Sequence, residues 1–305
     1  MLKLSLPLLA LLLALAGAAR AQSPTDPLVR PEGLRQVTAH VAVIPDNSVP
    51  LVPNVGIIVG TKAVLVVDTG LGPRNGAAVL AAAQKLGGAR QMYLVATHFH
   101  PEHDLGAQAF PASTLMIRSA DQRKDISEFG LQLANLFASR SPINAELLKG
   151  ADYRRANISF GQDLVLDLGG VRVLMFAMGP NHTRGDVAIW VETDQVLFAG
   201  DIAMRAQPAF ASPYSSLAHW LESLDRLEAL HPALIVPSHG PTGGVELIEG
   251  YRAYLKEVRE RTVAGKRAGK TAEQAADAVS GVMSGRYPDR GRLTGAAKAA
   301  YAEAK

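Results

Sequence analysis

The chain has 305 residues, of which 48% are hydrophobic and 19% are charged, a composition typical of a folded globular protein. Its net charge of +3 is mild and no basic run is interleaved with aromatic residues, so we expect no nucleic-acid partner. It contains no cysteine, which excludes disulfides, thiolate nucleophiles and zinc–thiolate sites. Any metal must therefore be held by His, Asp or Glu.

The first 35 residues have the features of a leader. A lysine near the start, the apolar run 4–16 and the sequence Ala19-Arg20-Ala21 predict a signal peptide over 1–21, cleaved after Ala21. The apolar run is short for a membrane anchor, and no later segment is long and apolar enough to span a bilayer. We therefore expect a periplasmic or secreted protein, with a flexible, polar lead-in over 22–35.

The remaining chain consists of two β-rich halves, each followed by helices. The hydrophobic patterns predict strands at 37–44, 55–59, 63–68, 92–96, 114–117, 164–168, 171–176, 187–191, 196–199 and 234–236. They predict helices at 75–86, 105–110, 217–230, 245–264 and 272–283, and a mostly helical segment over 119–149. This order predicts an α/β protein: a four-layer αββα sandwich over 36–264 with a helical tail over 265–305.

A cluster of histidines follows the predicted strand 92–96. His98 and His100 are two residues apart and point the same way from extended backbone, and Glu102 and His103 follow as a helix begins. Strand carboxyl ends are where α/β folds place ligands. Crowded imidazoles repel when protonated and need partners when buried and neutral, and a divalent metal meets both requirements.

Three more candidate ligands also lie at the carboxyl ends of predicted strands. They are His182 in the segment 180–186, Asp201 after the strand 196–199, and His239 after the strand 234–236. The other histidines have no such context, and we expect them to be structural or exposed; they are His40, His219 and His231.

These motifs, in this order, resemble the metallo-β-lactamase-fold hydrolase superfamily. The matching residues, from 37 to 240, are Asp68-Thr69-Gly70, His98-Phe99-His100-Pro101-Glu102-His103, His182, Gly200-Asp201 and His239. The segments 182–186 and 240–244 most resemble exported proteobacterial members associated with quinoprotein relay or sulfur oxidation.

The resemblance implies a role for each matching residue. His98, His100 and His182 would hold a first metal; Glu102, His103 and His239 would hold a second; and Asp201 would bridge the two. Asp68 would orient a ligand without binding metal. Nitrogen and oxygen ligands suit zinc, and iron or manganese could also occupy such a site.

One position departs from the superfamily pattern. Most members have Asp where this chain has Glu102, which is longer by one methylene. Glu102 could still bind metal, or it could leave the second site weak or empty. Asp104 is a possible substitute, which its direction on the beginning helix disfavours. The first metal site is therefore the firmer prediction.

The implied chemistry is hydrolysis of a small-molecule substrate. A metal lowers the pKa of bound water from about 16 to near 7, so that hydroxide can attack an ester, lactone, thioester or amide. Glu102 or Asp201 would orient the nucleophile and relay its proton. The β-lactamases have Cys or Ser at the position of Asp201, which argues against a dedicated β-lactamase.

Two alternatives stay open at this stage. One is a mononuclear iron oxygenase that acts on a thiol or persulfide. The other is a non-hydrolytic periplasmic accessory protein that binds a metal or a cofactor precursor. The sequence leaves the substrate, the metal and the oligomeric state undetermined.

The shape of a substrate pocket would depend on residues 46–55 and 119–153. Four aromatic residues could line it, although such spacings are more typical of a protein core; they are Phe99, Phe129, Phe137 and Tyr214. For the segment 119–149 we favour an ordinary solvent-covered helix pair over a specificity-setting insertion.

Overall fold

The computed structural model describes residues 25–204, 211, 212 and 214–304. The predicted signal peptide, 1–21, lies outside the described residues. No helix within them is long and apolar enough to cross a membrane.

The first of two sheets holds seven strands in sequence order. They are β1 (Arg35–Gln36), β2 (Val41–Ile44), β3 (Val55–Val59), β4 (Ala63–Val67), β5 (Gln91–Val95), β6 (Leu115–Ser119) and β7 (Ile158–Phe160). Strands β1 to β4 pair antiparallel, whereas β4 to β7 pair parallel. The carboxyl ends of β4 and β5 therefore meet at one edge of the sheet, where ligands commonly bind.

The second sheet holds five strands. They are β8 (Asp163–Asp167), β9 (Arg172–Ala177), β10 (Val187–Val191), β11 (Val196–Gly200) and β12 (Leu234–Pro237), in the order β12-β11-β10-β9-β8. All pairs are antiparallel except β11 with β12. The turn between β8 and β9 is formed by Gly169 and Gly170, both with positive φ, a conformation that glycine adopts without strain.

Helices cover the outer faces of both sheets. They are α1 (Gly72–Gly87), α2 (Pro101–Asp104), α3 (Ala120–Asp125), α4 (Leu131–Ser139), α5 (Pro142–Leu147), α6 (Leu217–Glu228), α7 (Glu246–Arg267), α8 (Ala272–Met283) and α9 (Arg290–Glu303). Helix α1 packs on the first sheet, and α6 to α9 form one hydrophobic cluster with the second. The predicted four-layer αββα sandwich with C-terminal helices is confirmed.

The central core lies between the two sheets. Ile58 and Leu65 of the first sheet pack in one buried cluster with Val173, Ile189 and Phe198 of the second. Burying each such side chain contributes about 1.5–3 kcal/mol. Strands covered on both faces have continuous apolar sequences instead of alternating ones, as β4, β10 and β11 do. This core fixes the strand ends that carry the candidate ligands.

The helical tail predicted over 265–305 contains a second helix after α8, for which the sequence predicted no separate element. Residues 290–303 form α9, whose Leu293, Ala296, Ala297 and Ala300 are buried against the helices over the second sheet. Alanine side chains are small enough to let helices approach closely, but they give a weak apolar pattern in the sequence.

The lead-in also differs from the prediction where the structure describes it. Leu28 and Val29 are buried, and the backbone N–H of Val29 donates to Asn75 Oδ1 at 2.8 Å. Asn75 Nδ2 in turn donates to the carbonyl of Pro27 at 2.9 Å. Residues 27–29 are therefore packed on α1, because two apolar side chains and a buried amide hold them there.

Candidate metal centre

The histidine-rich loop leaves the carboxyl end of β5 and enters the short helix α2. Pro101 occupies the first turn of α2, a position that suits proline because no backbone N–H is needed there. The backbone N–H and the hydroxyl of Thr69 both donate to the carbonyl of His103, at 2.8 and 3.1 Å. The turn after β4 therefore anchors the histidine-rich loop through these two hydrogen bonds.

The three distant candidates join this loop in one cluster. His182 lies between β9 and β10, Asp201 follows β11, and His239 follows β12. Potential ligand atoms lie within 4.8 Å of one another in three groups, which are His98 with His100 and His182, His98 with His103 and Asp201, and Glu102 with His103 and His239. The structure thus brings together all seven residues proposed as ligands. Asp201 groups with one histidine from each proposed site, the position required of a bridging carboxylate.

The cluster contains buried polar atoms that the protein does not satisfy. His98 Nε2, His103 Nε2, Glu102 Oε2 and Asp201 Oδ1 have no hydrogen-bond partner among the described residues. An unsatisfied buried polar atom costs about 1–3 kcal/mol, and a charged one costs more. The ring atoms His182 Nε2 and His100 Nδ1 also lie only 3.2 Å apart. Divalent metal ions coordinated by these nitrogen and oxygen atoms would satisfy them, so the residues fit the implied metals.

Other protein groups fix the ring orientations. Asp68 Oδ2 lies 2.8 Å from His103 Nδ1, and the Val52 carbonyl lies 2.9 Å from His239 Nδ1. In both cases the ring's Nδ1–H can donate, which leaves Nε2 facing the cluster. Asp68 also accepts hydrogen bonds from the backbone N–H and the hydroxyl of Thr97, at 2.7 and 3.0 Å. Partners of this kind set the tautomer of metal-binding histidines.

The histidines of the cluster differ in pKa because their surroundings differ. Burial, followed by the charges of neighbouring histidines, lowers the pKa of His98 and of His100 well below the usual 6.5, so both rings are neutral at pH 7. Burial also acts to lower the pKa of His103, but the charge and hydrogen bond of Asp68 override it and raise that pKa to about 9. Burial acts to raise the pKa of Asp201, but the surrounding histidines, chiefly His182, lower it to about 2.

Glu102 keeps its carboxylate within the cluster despite its extra methylene. Its Oε1 lies 4.0 Å from His103 Nε2. Asp104, the proposed substitute, is turned away: it forms a two-point ion pair with Arg118, in which Nη2 donates to Oδ1 at 2.7 Å and Nη1 donates to Oδ2. The prediction that Asp104 could act as a substitute ligand is therefore wrong. Helical geometry directs its side chain to the opposite side of α2.

A cleft of about 1140 Å³ opens above the cluster. Its floor includes His100, Glu102, His182, Asp201 and His239. All four aromatic candidates line it, namely Phe99, Phe129, Phe137 and Tyr214.

The segment 119–149 does more than the solvent-covered helix pair that we favoured. Helix α4 and the turn before it contribute one wall of the cleft, including Phe129, Leu133 and Phe137. The loop 48–51 after β2 also lines the cleft. Both segments named from the sequence as determinants of pocket shape therefore border the cleft.

Several supporting residues were missed at the sequence level. Asn54 Nδ2 donates to the carbonyls of Pro237 and Gly240 at 2.9 and 2.8 Å, and Asp46 Oδ2 accepts from the Gly240 N–H at 2.8 Å. These bonds hold the loop that carries His239. Asn and Asp in turns are common, so nothing in their local sequence distinguishes them from residues that bond only within their own turn.

The loop that carries His182 is held in a similar way. Asp186 accepts hydrogen bonds from the backbone N–H and the hydroxyl of Thr183, at 3.0 and 2.6 Å. Burial raises the pKa of Asp186 to about 6, although His182 and the bonds from Thr183 act to lower it. A short Asp-centred loop thus presents His182 to the cluster.

Comparisons with known proteins agree with this geometry. A family model described as the metallo-beta-lactamase superfamily matches residues 49–239. The "Metallo-beta-lactamase type 2" of Bacteroides fragilis is 28% identical over 107 residues, which cover 34% of this chain and 43% of that protein. The "Acyl-coenzyme A thioesterase MBLAC2" of Gallus gallus is 29% identical over 189 residues, covering 58% of this chain and 67% of that protein.

Alkylsulfatases are also similar. The "Linear primary-alkylsulfatase" of a Pseudomonas strain is 22% identical over 260 residues, covering 73% of this chain and 49% of that protein. The solved structure of the inverting sec-alkylsulfatase Pisa1 from Pseudomonas sp. matches with a TM-score of 0.68 and 16% identity, over 88% of this chain and 49% of that chain. The chain thus spans about half the length of these two proteins, and the structural likeness shows the shared fold.

Proposed function

The chain belongs to the metallo-beta-lactamase superfamily, and from that premise we propose that it is an exported, zinc-dependent hydrolase that cleaves an ester, lactone, thioester or amide bond. The observation that carries the proposal is the convergence of five histidines and two carboxylates at one cleft, with four of their buried polar atoms unsatisfied among the described residues.

The proposed ligand sets follow the observed groups. His98, His100 and His182 would hold a first zinc ion, and Glu102, His103 and His239 would hold a second, with Asp201 between them. Bound zinc supplies hydroxide at neutral pH, by lowering the pKa of water to near 7, and polarises a carbonyl oxygen. The same donor atoms could also bind iron or manganese.

The chain's own groups position the nucleophile and move its proton. Asp201 is ionised at neutral pH because its pKa is about 2, and its Oδ1 has no partner among the described residues. The Asp201 oxygen that does not face a metal would accept a hydrogen bond from a water molecule in the cleft and relay its proton, and the corresponding oxygen of Glu102 would orient that water.

The choice of bond rests on the cleft and on the relatives. The apolar walls suit a substrate with a hydrocarbon part, and one relative is named as an acyl-coenzyme A thioesterase. Asp201 stands where the β-lactamases have Cys or Ser, which argues against a dedicated β-lactamase. The departure at Glu102 motivates the iron oxygenase alternative and, together with the resemblance to relay-system members, the accessory-protein alternative. The Glu102 carboxylate nevertheless stays grouped with His103 and His239. Hydrolysis is therefore the proposal we retain.

The direct test combines metal exchange with a substrate panel. Purified protein would be stripped with a chelator, reloaded with zinc, iron or manganese, and assayed on a nitrophenyl ester, a lactone, a thioester, an anilide and a β-lactam. We expect stripping to abolish hydrolysis and zinc to restore it, and His98→Ala to lower kcat/KM at least 100-fold. His231→Asn is the matched control, since His231 is exposed and outside the cleft.

Two outcomes would overturn the proposal. Hydrolysis that survives chelation, or that is equal in His98→Ala and wild type, would exclude a metal-dependent reaction at this cluster. Oxygen uptake with a persulfide by the iron-loaded protein, without hydrolysis of any panel member, would favour the oxygenase. Export is tested separately, by the mass of the protein recovered from the cell envelope, which we expect to begin at Gln22.

A further inference from the structure

Among the described residues, three arginines line the cleft, and two of them are paired with carboxylates. Arg184 Nε lies 2.6 Å from Asp125 Oδ1, and its Nη2 lies 2.7 Å from Glu128 Oε2. Arg292 Nε lies 3.4 Å from Asp289 Oδ2. Each of these two arginines is thus already paired with at least one carboxylate.

Arg140 is different, because it has no carboxylate partner among the described residues although it lines the same cleft. Its guanidinium carbon lies 3.8 Å from the centroid of the Phe137 ring. Phe137 is itself buried, and its ring centroid is 6.2 Å from that of His100. The exposed guanidinium group therefore lies against a buried ring that neighbours His100, one of the proposed metal ligands.

Stacking also preorganises this group for binding. One face of the planar guanidinium rests on the ring, and the N–H donors at its edge stay available. A guanidinium edge matches the paired oxygens of a carboxylate, sulfate or phosphate group. An arginine held in this way without a counter-ion is a binding site for an anion.

The cleft that Arg140 lines also carries exposed apolar side chains. Leu136 and Tyr214 line the cleft although they are 52% and 51% exposed, and the rings of Tyr214 and Phe129 lie 5.3 Å apart. Val49, Pro50 and Leu51 also line the cleft. Large apolar side chains left open to water around a cleft mark a binding surface for an apolar ligand.

We propose that the substrate is an anionic amphiphile, with an apolar chain along the α4 and 48–51 walls and a negatively charged group bound by Arg140. This makes Arg140 a specificity-determining residue for the reaction. The inference rests on the proposed hydrolytic function, because it places the scissile bond at the histidine cluster.

The first test measures binding without catalysis. The probe is 1-decanesulfonate, which has no hydrolysable bond, and 1-decanol is its neutral counterpart; both are titrated into zinc-loaded full-length protein. We expect Arg140→Gln to weaken sulfonate binding about tenfold and to change decanol binding less than twofold, since it removes one charge-assisted contact. Arg140→Lys should retain part of the affinity. Arg155→Gln is the control, because Arg155 is exposed and lies outside the cleft.

Equal losses for both probes in Arg140→Gln, or no loss for either, would overturn the inference. Repeating the titration with decanoate and decylphosphonate distinguishes the headgroups, since the preferred anion should show the largest dependence on Arg140. Binding of the preferred anion should also weaken as salt is raised, because the site is open to solvent.

The second test compares two nitrophenyl esters that differ in charge, the neutral hexanoate and the hemiester of hexanedioic acid. We expect Arg140→Gln to raise KM for the anionic ester about tenfold with little change in kcat, and to leave the neutral ester unchanged. If wild type cleaves both esters and the variant behaves identically, the inference fails and the proposed function stands. If neither ester is cleaved but Arg140→Gln still weakens binding of the sulfonate and not of decanol, Arg140 binds the anion and the proposed hydrolytic function fails.

Discussion

Replacing Asp68 by Asn perturbs the cluster without touching a proposed ligand atom. Asp68 Oδ2 lies 2.8 Å from His103 Nδ1 and accepts the Thr97 hydroxyl at 3.0 Å, while Oδ1 accepts the Thr97 N–H at 2.7 Å. Asn keeps the shape and tolerates the φ of 62° at this position. The Asn side chain nevertheless has only one acceptor oxygen. Its amide N–H₂ group must therefore face either the His103 ring or Thr97.

The magnitude follows from two opposing effects on the second metal group. Losing the carboxylate that orients His103 weakens metal binding about 10- to 100-fold, or about 1.4–2.7 kcal/mol. Wild type, however, holds a proton on His103, whose pKa is raised to about 9 against the effect of burial, mainly by Asp68. At pH 7 the metal must displace that proton, so wild-type affinity rises about tenfold per pH unit toward pH 9. In Asp68→Asn, which lacks the carboxylate, most of this dependence of zinc affinity on pH should be lost.

The assay is zinc binding by competition with a chromophoric chelator, at pH 7 and at pH 9. We expect the loss in Asp68→Asn to be small at pH 7 and to reach 10- to 100-fold at pH 9. Asp194→Asn is the matched control, because Asp194 Oδ1 holds His40 Nδ1 at 2.7 Å in an equivalent pair outside the cluster. Equal zinc affinity of Asp68→Asn and wild type at pH 9 would refute the reasoning, as would a similar loss in Asp194→Asn.

Two further predictions concern folding. Gly76→Ala should lower the free energy of unfolding in urea by more than about 2 kcal/mol, because the added Cβ would lie 1.8 Å from the Gly106 carbonyl oxygen. Gly250→Ala is the control: a Cβ added there meets nothing within 4 Å, so this variant should not be destabilised. The metal-free protein should lose stability as pH falls below 6.5, because the unfolded chain binds protons at His98 and His100 that the folded state, with lowered pKa values, does not. A urea midpoint that is constant or rises between pH 6.5 and 5 would contradict this.

The sequence predicted the sandwich and the gathering of the candidate ligands because both depend on local signals. Apolar runs without alternation indicate doubly covered strands, and His98, His182 and His239 each follow such a run. Once the strands are placed, their carboxyl ends come together whatever the loops contain. The division of the ligands between two metal sites does not follow from the strand pattern, and it was taken from the superfamily resemblance.

The features that the sequence did not predict depend on contacts between distant residues. Asp104 pairs with Arg118, fourteen positions away on β6, a contact that no local sequence pattern predicts. The short strand β7 is recruited by pairing with β6, although three residues carry too little pattern to identify it. The placement of α4 over the cleft, and with it the role of Arg140, follows from tertiary packing alone.

The central claim is that the histidine and carboxylate cluster holds metal ions, and metal content tests it most directly. Full-length protein would be incubated with zinc, desalted and measured by elemental analysis beside His182→Ala. We predict about two equivalents of zinc in wild type and about one fewer in the variant, since His182 belongs to only one proposed ligand set. Wild-type protein with well under one equivalent of any transition metal would contradict the account.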